Sequence, residues 1–349
     1  MAGKIIKVLV IDDSALVRKI LEKAINKDPR LKVVGTAADV YQGRDMIVKY
    51  RPDVLTLDIE MPRMDGVEFL KRLMPQYPLP VVVVSSLTQK GKQVTLDALD
   101  SGAVDYVAKP KANIGEGLSA LTKQLQTKIK LAATADVSHW KHKRFEKTAR
   151  RSKTTGVLKE TTDKMLVIGA STGGTSAIRA IINALPASMP GTVIVQHMPA
   201  GFTKMFADRL NQISRMSVKE AVDGDRIMTG RCLVAPGGKH MSVFRSGGLY
   251  KVSCKEGELV NGHCPSVDVI MKSVAKYVGK NAVGLMLTGM GKDGAAGMLE
   301  MKIAGAYNVG QDEKSSVVYG MPKVAYDIGA VDRQLPLEKI PDALVSLFR

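Results

Sequence analysis

Short apolar runs rich in β-branched residues, each closed by a polar residue and followed by apolar positions at helical spacing, recur in two blocks of this chain. In the first block, Lys4 to Ile11 predicts a strand that ends in Asp12-Asp13, and Ser14 to Leu21 continues with the periodicity of a helix. Leu31 to Ala37 predicts a second strand. Val54 to Leu57 predicts a third, which delivers Asp58 before Met61-Pro62-Arg63-Met64-Asp65-Gly66 turns into another helix. Val81 to Val84 ends in Ser85-Ser86, and the short run Tyr106 to Ala108 ends in Lys109-Pro110. Strand alternating with helix in this way predicts a parallel sheet covered on both faces.

A polar helical stretch from about Gly115 to Leu131 follows, and the alternation resumes at Lys164. Met165 to Ile168 runs into Gly169-Ala170-Ser171-Thr172-Gly173-Gly174, after which Thr175 to Leu185 has helical spacing. The glycines let the backbone turn sharply there, which puts Ser171 at a strand-to-helix turn beside the N–H groups of a helix start. Thr192 to Val195 ends in Gln196-His197-Met198-Pro199, and Ala282 to Leu287 ends in Thr288-Gly289-Met290-Gly291-Lys292-Asp293-Gly294. The expected architecture is α/β with two domains, over residues 1–127 and 161–349, joined by a basic flexible linker over 128–160.

Composition narrows the class without naming a chemistry. A chain of 349 residues with 45% hydrophobic residues and a mean hydropathy of -0.01 has room for two cores. The first apolar run stops at two aspartates, which argues against a signal peptide or a membrane span and for a cytoplasmic protein. Cys232, Cys254 and Cys264 have no C-x-x-C spacing, so neither a disulfide framework nor a zinc site is expected. The net charge of +17 would suit nucleic acid. Much of it sits between Lys141 and Lys159, however, where eight basic side chains oppose Glu146 alone, as in a solvated connector. No helix-turn-helix pattern appears in the second block, so no nucleic-acid partner is expected.

Residues at the carboxyl ends of parallel strands converge on one crevice. In the first block these are Asp12, Asp13, Asp58, Ser85 and Lys109. Three carboxylates gathered there need a hard cation, and Mg²⁺ suits an all-oxygen site. With Lys109 neutralising phosphoryl oxygens, Asp58 has the means to attack a phosphorylated donor and form an acyl phosphate. These residues, with M-P-R-M-D-G behind Asp58 and Lys109-Pro110, resemble the receiver domain of two-component response regulators. The resemblance implies a flavodoxin-like fold, phosphate transfer to Asp58 from a histidine kinase, and Mg²⁺ held by Asp12, Asp13 and Asp58. It further implies that Ser85, with Ser86 as the alternative, Tyr106 and Lys109 report the phosphorylated state.

In the second block a serine, a histidine and an aspartate each follow a strand. A serine hydrolase would use them as nucleophile (Ser171), base (His197) and orienting carboxylate (Asp293), with main-chain N–H groups around Met290 for the oxyanion. The chain order Ser, His, Asp is not that of the α/β-hydrolases. The motifs I-G-A-S-T-G-G, Q-H-M-P, A-P-G-G-K-H-M, P-S-V-D-V and L-T-G-M-G-K-D-G-A-A-G-M instead resemble the chemotaxis receptor methylesterases. What this resemblance implies is a Rossmann-like α/β domain that hydrolyses glutamate methyl esters on methyl-accepting chemotaxis receptors and deamidates their glutamines, with no cofactor for the ester step and no insertion into the membrane. It also implies a regulatory receiver that covers the Ser171 edge until it is phosphorylated. A dehydrogenase reading, with G-A-S-T-G-G as a cofactor turn and Tyr319 and Lys323 at Tyr-x-x-x-Lys spacing, is opposed by the missing G-x-G-x-x-G and by Pro322 between them.

Overall fold

The computed structural model describes residues 4–86, 88–109, 117–141 and 163–349. The chain divides into two compact units, Met1–Lys147 and Thr148–Arg349. The first unit runs β1 (Ile6–Ile11), α1 (Ala15–Asn26), β2 (Leu31–Ala37), α2 (Val40–Tyr50), β3 (Val54–Asp58) and α3 (Gly66–Gln76). It continues with β4 (Val81–Ser85), α4 (Gln89–Asp100), β5 (Asp105–Ala108) and α5 (Gly117–Ala132). Side chains named by the turns start the helices: Ser14 Oγ accepts from Val17 N–H at the head of α1, and Asp65 Oδ1 accepts from Glu68 N–H at the head of α3.

The five strands are parallel in the order β2-β1-β3-β4-β5. From β1 the chain goes to one side for β2 and returns to the other side for β3, so a crevice opens at the carboxyl ends of β1 and β3. Asp12, Asp13 and Asp58 lie at that crevice because Val8–Ile11 and Val54–Leu57 are buried and the sheet can only be left at its edge.

Residues 128–141, expected as the first part of the linker, belong instead to the first unit. α5 continues through Ala132, tied to the end of α1 by Gln126 Nε2 donating to Ala24 O at 2.7 Å and by Lys130 Nζ on Asp28 at 2.7 Å. A 3₁₀ turn at Ser138–Trp140 then buries Trp140 against the unit's core. Apolar burial outweighs the polar composition that suggested a connector. The basic run beyond residue 141 lies outside the described residues.

The second unit holds β6 (Met165–Ala170), α6 (Gly174–Ala184), β7 (Gly191–Gln196), α7 (Phe202–Ile213), β8 (Ser217–Glu220) and β9 (Arg231–Val234). Next come the hairpin β10 (His240–Ser246) and β11 (Leu249–Lys255), then α8 (Val267–Tyr277), β12 (Ala282–Met286), α9 (Ala295–Ile303), β13 (Tyr307–Gln311), α10 (Met321–Asp327), β14 (Arg333–Leu335) and α11 (Ile340–Leu347). Seven strands form a parallel sheet in the order β14-β13-β12-β6-β7-β9-β8. β10 and β11 pair antiparallel as a separate ribbon, which the sequence reading did not anticipate. The direction of winding reverses between β6 and β12, so the second crevice opens where Ser171 and the loop bearing Asp293 leave the sheet. Among the described residues, no helix is long and apolar enough to cross a membrane.

Candidate active site

Met165–Ala170 is wholly buried, which fixes β6 and forces Ser171 out at its end. The turn that follows is held from both sides. Ser171 N–H donates to Thr288 O at 3.1 Å, and Ser171 O accepts from Gly174 N–H at 2.7 Å. Gln196 Nε2, at the end of β7, donates to Ser171 O at 2.9 Å and to His197 O at 3.3 Å. One amide thus links the ends of the two strands that carry serine and histidine. Two glycines are required by space. Gly173 has φ 77°, and a Cβ on Gly289 would fall 2.8 Å from Ser171 Cβ and 2.4 Å from Met321 Sδ. The turn at Gly289 is therefore packed directly against the serine, next to Met290, which is 41% exposed.

His197 and Asp293 meet: the carboxylate Oδ2 accepts from His197 Nε2 at 2.8 Å. A carboxylate only accepts, so Nε2 carries the proton of the neutral ring and Nδ1 bears the lone pair. Nδ1 is buried and has no hydrogen-bond partner, so the serine–histidine hydrogen bond is not made in this structure. Such bonds are often open before substrate binds.

Asp293 is buried and heavily satisfied. Oδ2 also accepts from Val267 N–H at 2.7 Å, and Oδ1 accepts from Ser266 Oγ at 2.7 Å, Asn261 Nδ2 at 2.8 Å and Asp268 N–H at 3.3 Å. Burial alone would raise its pKa, but the bonds from His197, Asn261, Ser266 and Val267 outweigh burial and hold the carboxyl well below its ordinary 3.8. It is an anion at every pH where an esterase would work. The sequence reading gave no role to Gln196, Asn261, Ser266 or Asp268, nor to His263, whose ring stacks on His197 with centroids 3.6 Å apart. Gln196 stands in Q-H-M-P, and Ser266 and Asp268 stand in P-S-V-D-V, so the motifs held the signal.

In the first unit, Lys109 Nζ donates to Asp58 Oδ2 at 2.6 Å and lies 3.4 Å from Asp12 Oδ2. Burial is the main reason the Asp58 carboxyl is pushed up to about 6, with Lys109 and the Glu60 N–H pulling against it. Burial also raises Asp12. Carboxylate oxygens of Asp12, Asp13 and Asp58 lie within 4.8 Å of one another, and buried Asp12 Oδ2 has no hydrogen bond. A buried anionic oxygen served only by the Lys109 ammonium at 3.4 Å, beside two more carboxylates, has room in its coordination for a hard cation. Ser85 Oγ is directed to α4, accepting from Thr95 Oγ1 at 2.7 Å and donating to Gly91 O at 3.2 Å, not to Asp58. The alternative hydroxyl, Ser86 Oγ, donates to Glu60 Oε2 at 2.6 Å, two residues beyond Asp58. Tyr106 is buried, which raises its phenol well above the ordinary range.

The dehydrogenase pair is not assembled. Tyr319 precedes α10 and its hydroxyl accepts from Gln334, whereas Lys323 is paired with Asp327 at 2.8 Å.

A family model described as CheB methylesterase matches residues 166–344, and one described as response regulator receiver domain matches residues 8–121. A protein-glutamate methylesterase/protein-glutamine glutaminase of Syntrophotalea carbinolica is 63% identical over 346 residues, covering 99% of this chain and 98% of that protein. The protein of the same description from Sulfurimonas denitrificans is 53% identical over 346 residues, with 98% of each chain covered. The crystal structure of the Thermotoga maritima CheB methylesterase catalytic domain is 38% identical and covers 53% of this chain and 98% of its own, with a TM-score of 0.52.

Proposed function

The chain belongs to the CheB methylesterase family, and from that premise we propose that Ser171, His197 and Asp293 carry a serine-esterase reaction which phosphorylation of Asp58 controls. It is a protein-glutamate methylesterase that also acts as a protein-glutamine glutaminase. The single observation that carries the assignment of residues is the His197–Asp293 bond at 2.8 Å, which leaves Nδ1 as the basic nitrogen just past the end of the strand that neighbours the one leading to Ser171.

In the proposed reaction His197 Nδ1 takes the proton from Ser171 Oγ as the oxygen attacks the ester carbonyl. Asp293 stabilises the imidazolium without accepting its proton. The tetrahedral oxyanion is held by main-chain N–H groups around Met290, where the absence of a Cβ at Gly289 permits close approach. Collapse transfers the Nδ1 proton to the leaving methoxide, so methanol departs and a glutamyl ester of Ser171 remains. Water, deprotonated by the same nitrogen, then releases glutamate. With a glutamine the leaving group is ammonia. The substrates are glutamyl side chains on the cytoplasmic domains of methyl-accepting chemotaxis receptors, which makes the cytoplasm the site of action.

The receiver, residues 1–127 in the sequence reading and extended to Lys141 by α5 and Trp140, supplies the control. Asp58 attacks the phosphorus of a phosphohistidine on a chemotaxis kinase, the phosphorus–nitrogen bond breaks and the kinase histidine departs, and Lys109 pairs with the phosphoryl oxygens of the acyl phosphate. Asp12, Asp13 and Asp58 would hold Mg²⁺, which when bound neutralises charge on the transferring phosphoryl group. Ser85 and Tyr106 are the groups proposed to respond, Ser85 by leaving its bonds to α4.

Two measurements test this half. Methanol release from methylated receptor membranes is expected to rise on adding a small-molecule phosphodonor to the native chain and to be unresponsive in Asp58→Asn. An equal response in both would remove Asp58 from the control. Mg²⁺ at 100 times its dissociation constant is expected to stabilise the receiver unit by about 2.7 kcal/mol in urea unfolding. The gain should vanish in Asp13→Ala, and its persistence would shift the cation elsewhere.

A further inference from the structure

Two histidines of the second unit have no part in the ester chemistry, yet both serve the loop between β11 and α8. His240 Nε2 donates to Glu258 O at 2.8 Å, and its Nδ1 accepts from Ser266 N–H at 3.3 Å. One neutral ring therefore ties the two ends of the loop 258–266 together. Between these anchors the chain reverses at Val260 and His263, where each N–H donates to the other's carbonyl, at 3.1 and 3.0 Å. Asn261, inside the reversal, has φ 53°, a left-handed conformation that asparagine adopts more readily than most residues.

This reversal applies two side chains to the histidine–aspartate pair. Asn261 Nδ2 donates to Asp293 Oδ1 at 2.8 Å and to Asp268 Oδ2 at 2.6 Å, so both amide protons are spent on two buried carboxylates. His263 lies flat on His197, with ring centroids 3.6 Å apart and planes inclined by 10°. A single hydrogen bond at Nε2 does not fix the rotation of the His197 ring. A second ring pressed against one face does.

We propose that His263 is a positioning residue of the esterase reaction: stacked on His197, it fixes the ring plane that directs Nδ1 to the Ser171 hydroxyl, while Asn261 holds Asp293 from the same turn. This rests on His197 acting as the base.

The test uses the full-length chain, activated by a phosphodonor, in steady-state methanol release from methylated receptor membranes. His263→Ala is expected to lose about 10- to 100-fold in kcat with KM within about twofold, the pattern of a misaligned base and intact binding. His263→Phe, which restores a flat ring, should recover to within about threefold of the native kcat. His263→Leu fills similar space without a ring and should remain near the alanine value. Native kcat in His263→Ala, or equal recovery by Phe and Leu, overturns the proposal. A Ser171→Ala control separates the two levels of failure. If it retains turnover, the serine–histidine reading falls and the positioning role with it. If it is inactive while His263→Ala matches the native chain, only the positioning role falls.

Discussion

Ser171→Ala is expected to lower methanol release by about 10⁴-fold or more, with receptor affinity within about twofold of native. The size follows from what the hydroxyl does. Without it no acyl-enzyme forms, and what remains is the acceleration that oxyanion donors and binding give to attack by water. The fold should be unaffected, because the turn is held through the main-chain N–H and C=O of residue 171 to Thr288, Gly174 and Gln196. A matched unfolding midpoint with lost turnover would therefore mark a chemical defect. Intact-mass spectrometry after rapid quench provides the direct check: the native chain should carry a substrate-derived adduct on Ser171 and the alanine variant none. Turnover within about tenfold of native in the variant would mean that another nucleophile operates.

The parts of the site visible in the sequence are those for which burial leaves the chain no choice. Val8–Ile11, Val54–Leu57, Met165–Ala170 and Gly191–Gln196 are buried on both faces, so the next residue must emerge at the edge, and Asp12, Asp58, Ser171 and His197 are those residues. Asp293 is less direct, since it stands beyond the end of β12 at Met286 and only the glycine-rich turn brings it back. The stretch 258–264 was not legible. It has no apolar period, its neighbours β10 and β11 lie outside the main sheet, and a ring–ring stack between residues 66 positions apart leaves no local trace. The linker boundary failed for a related reason. A lone tryptophan after a polar helix contributes little to periodicity, yet its burial is enough to keep residues through Trp140 on the first unit. Nor does any pattern of residues say which ring nitrogen faces the carboxylate.

That last point makes Asp293→Asn the most discriminating substitution of the dyad. Both oxygens of the native carboxylate are surrounded by donors: His197 Nε2 and Val267 N–H on one, and Asn261 Nδ2, Ser266 Oγ and Asp268 N–H on the other. An asparagine must present an NH₂ to one of these sets. If it faces His197, it opposes a main-chain N–H that cannot move and favours the tautomer with the proton on Nδ1, the nitrogen that has to be the base. If it faces the other way, it opposes Asn261 and the Asp268 N–H. Either orientation should cost about 3 kcal/mol of stability in the second unit, and the wrong tautomer should reduce kcat by on the order of 10⁴-fold. The pH dependence carries a sign. The folded Asp293 carboxyl titrates below its ordinary 3.8, so its stabilisation is complete above about pH 4 and is lost as the pH falls through the depressed value. The stability gap between the native chain and Asp293→Asn should therefore narrow as the pH falls below about 4. Denaturant unfolding from about pH 4 downward is the measurement, and a gap that widened over that range would mean that Asp293 is protonated in the folded state and donates, rather than accepts, in the bond to His197.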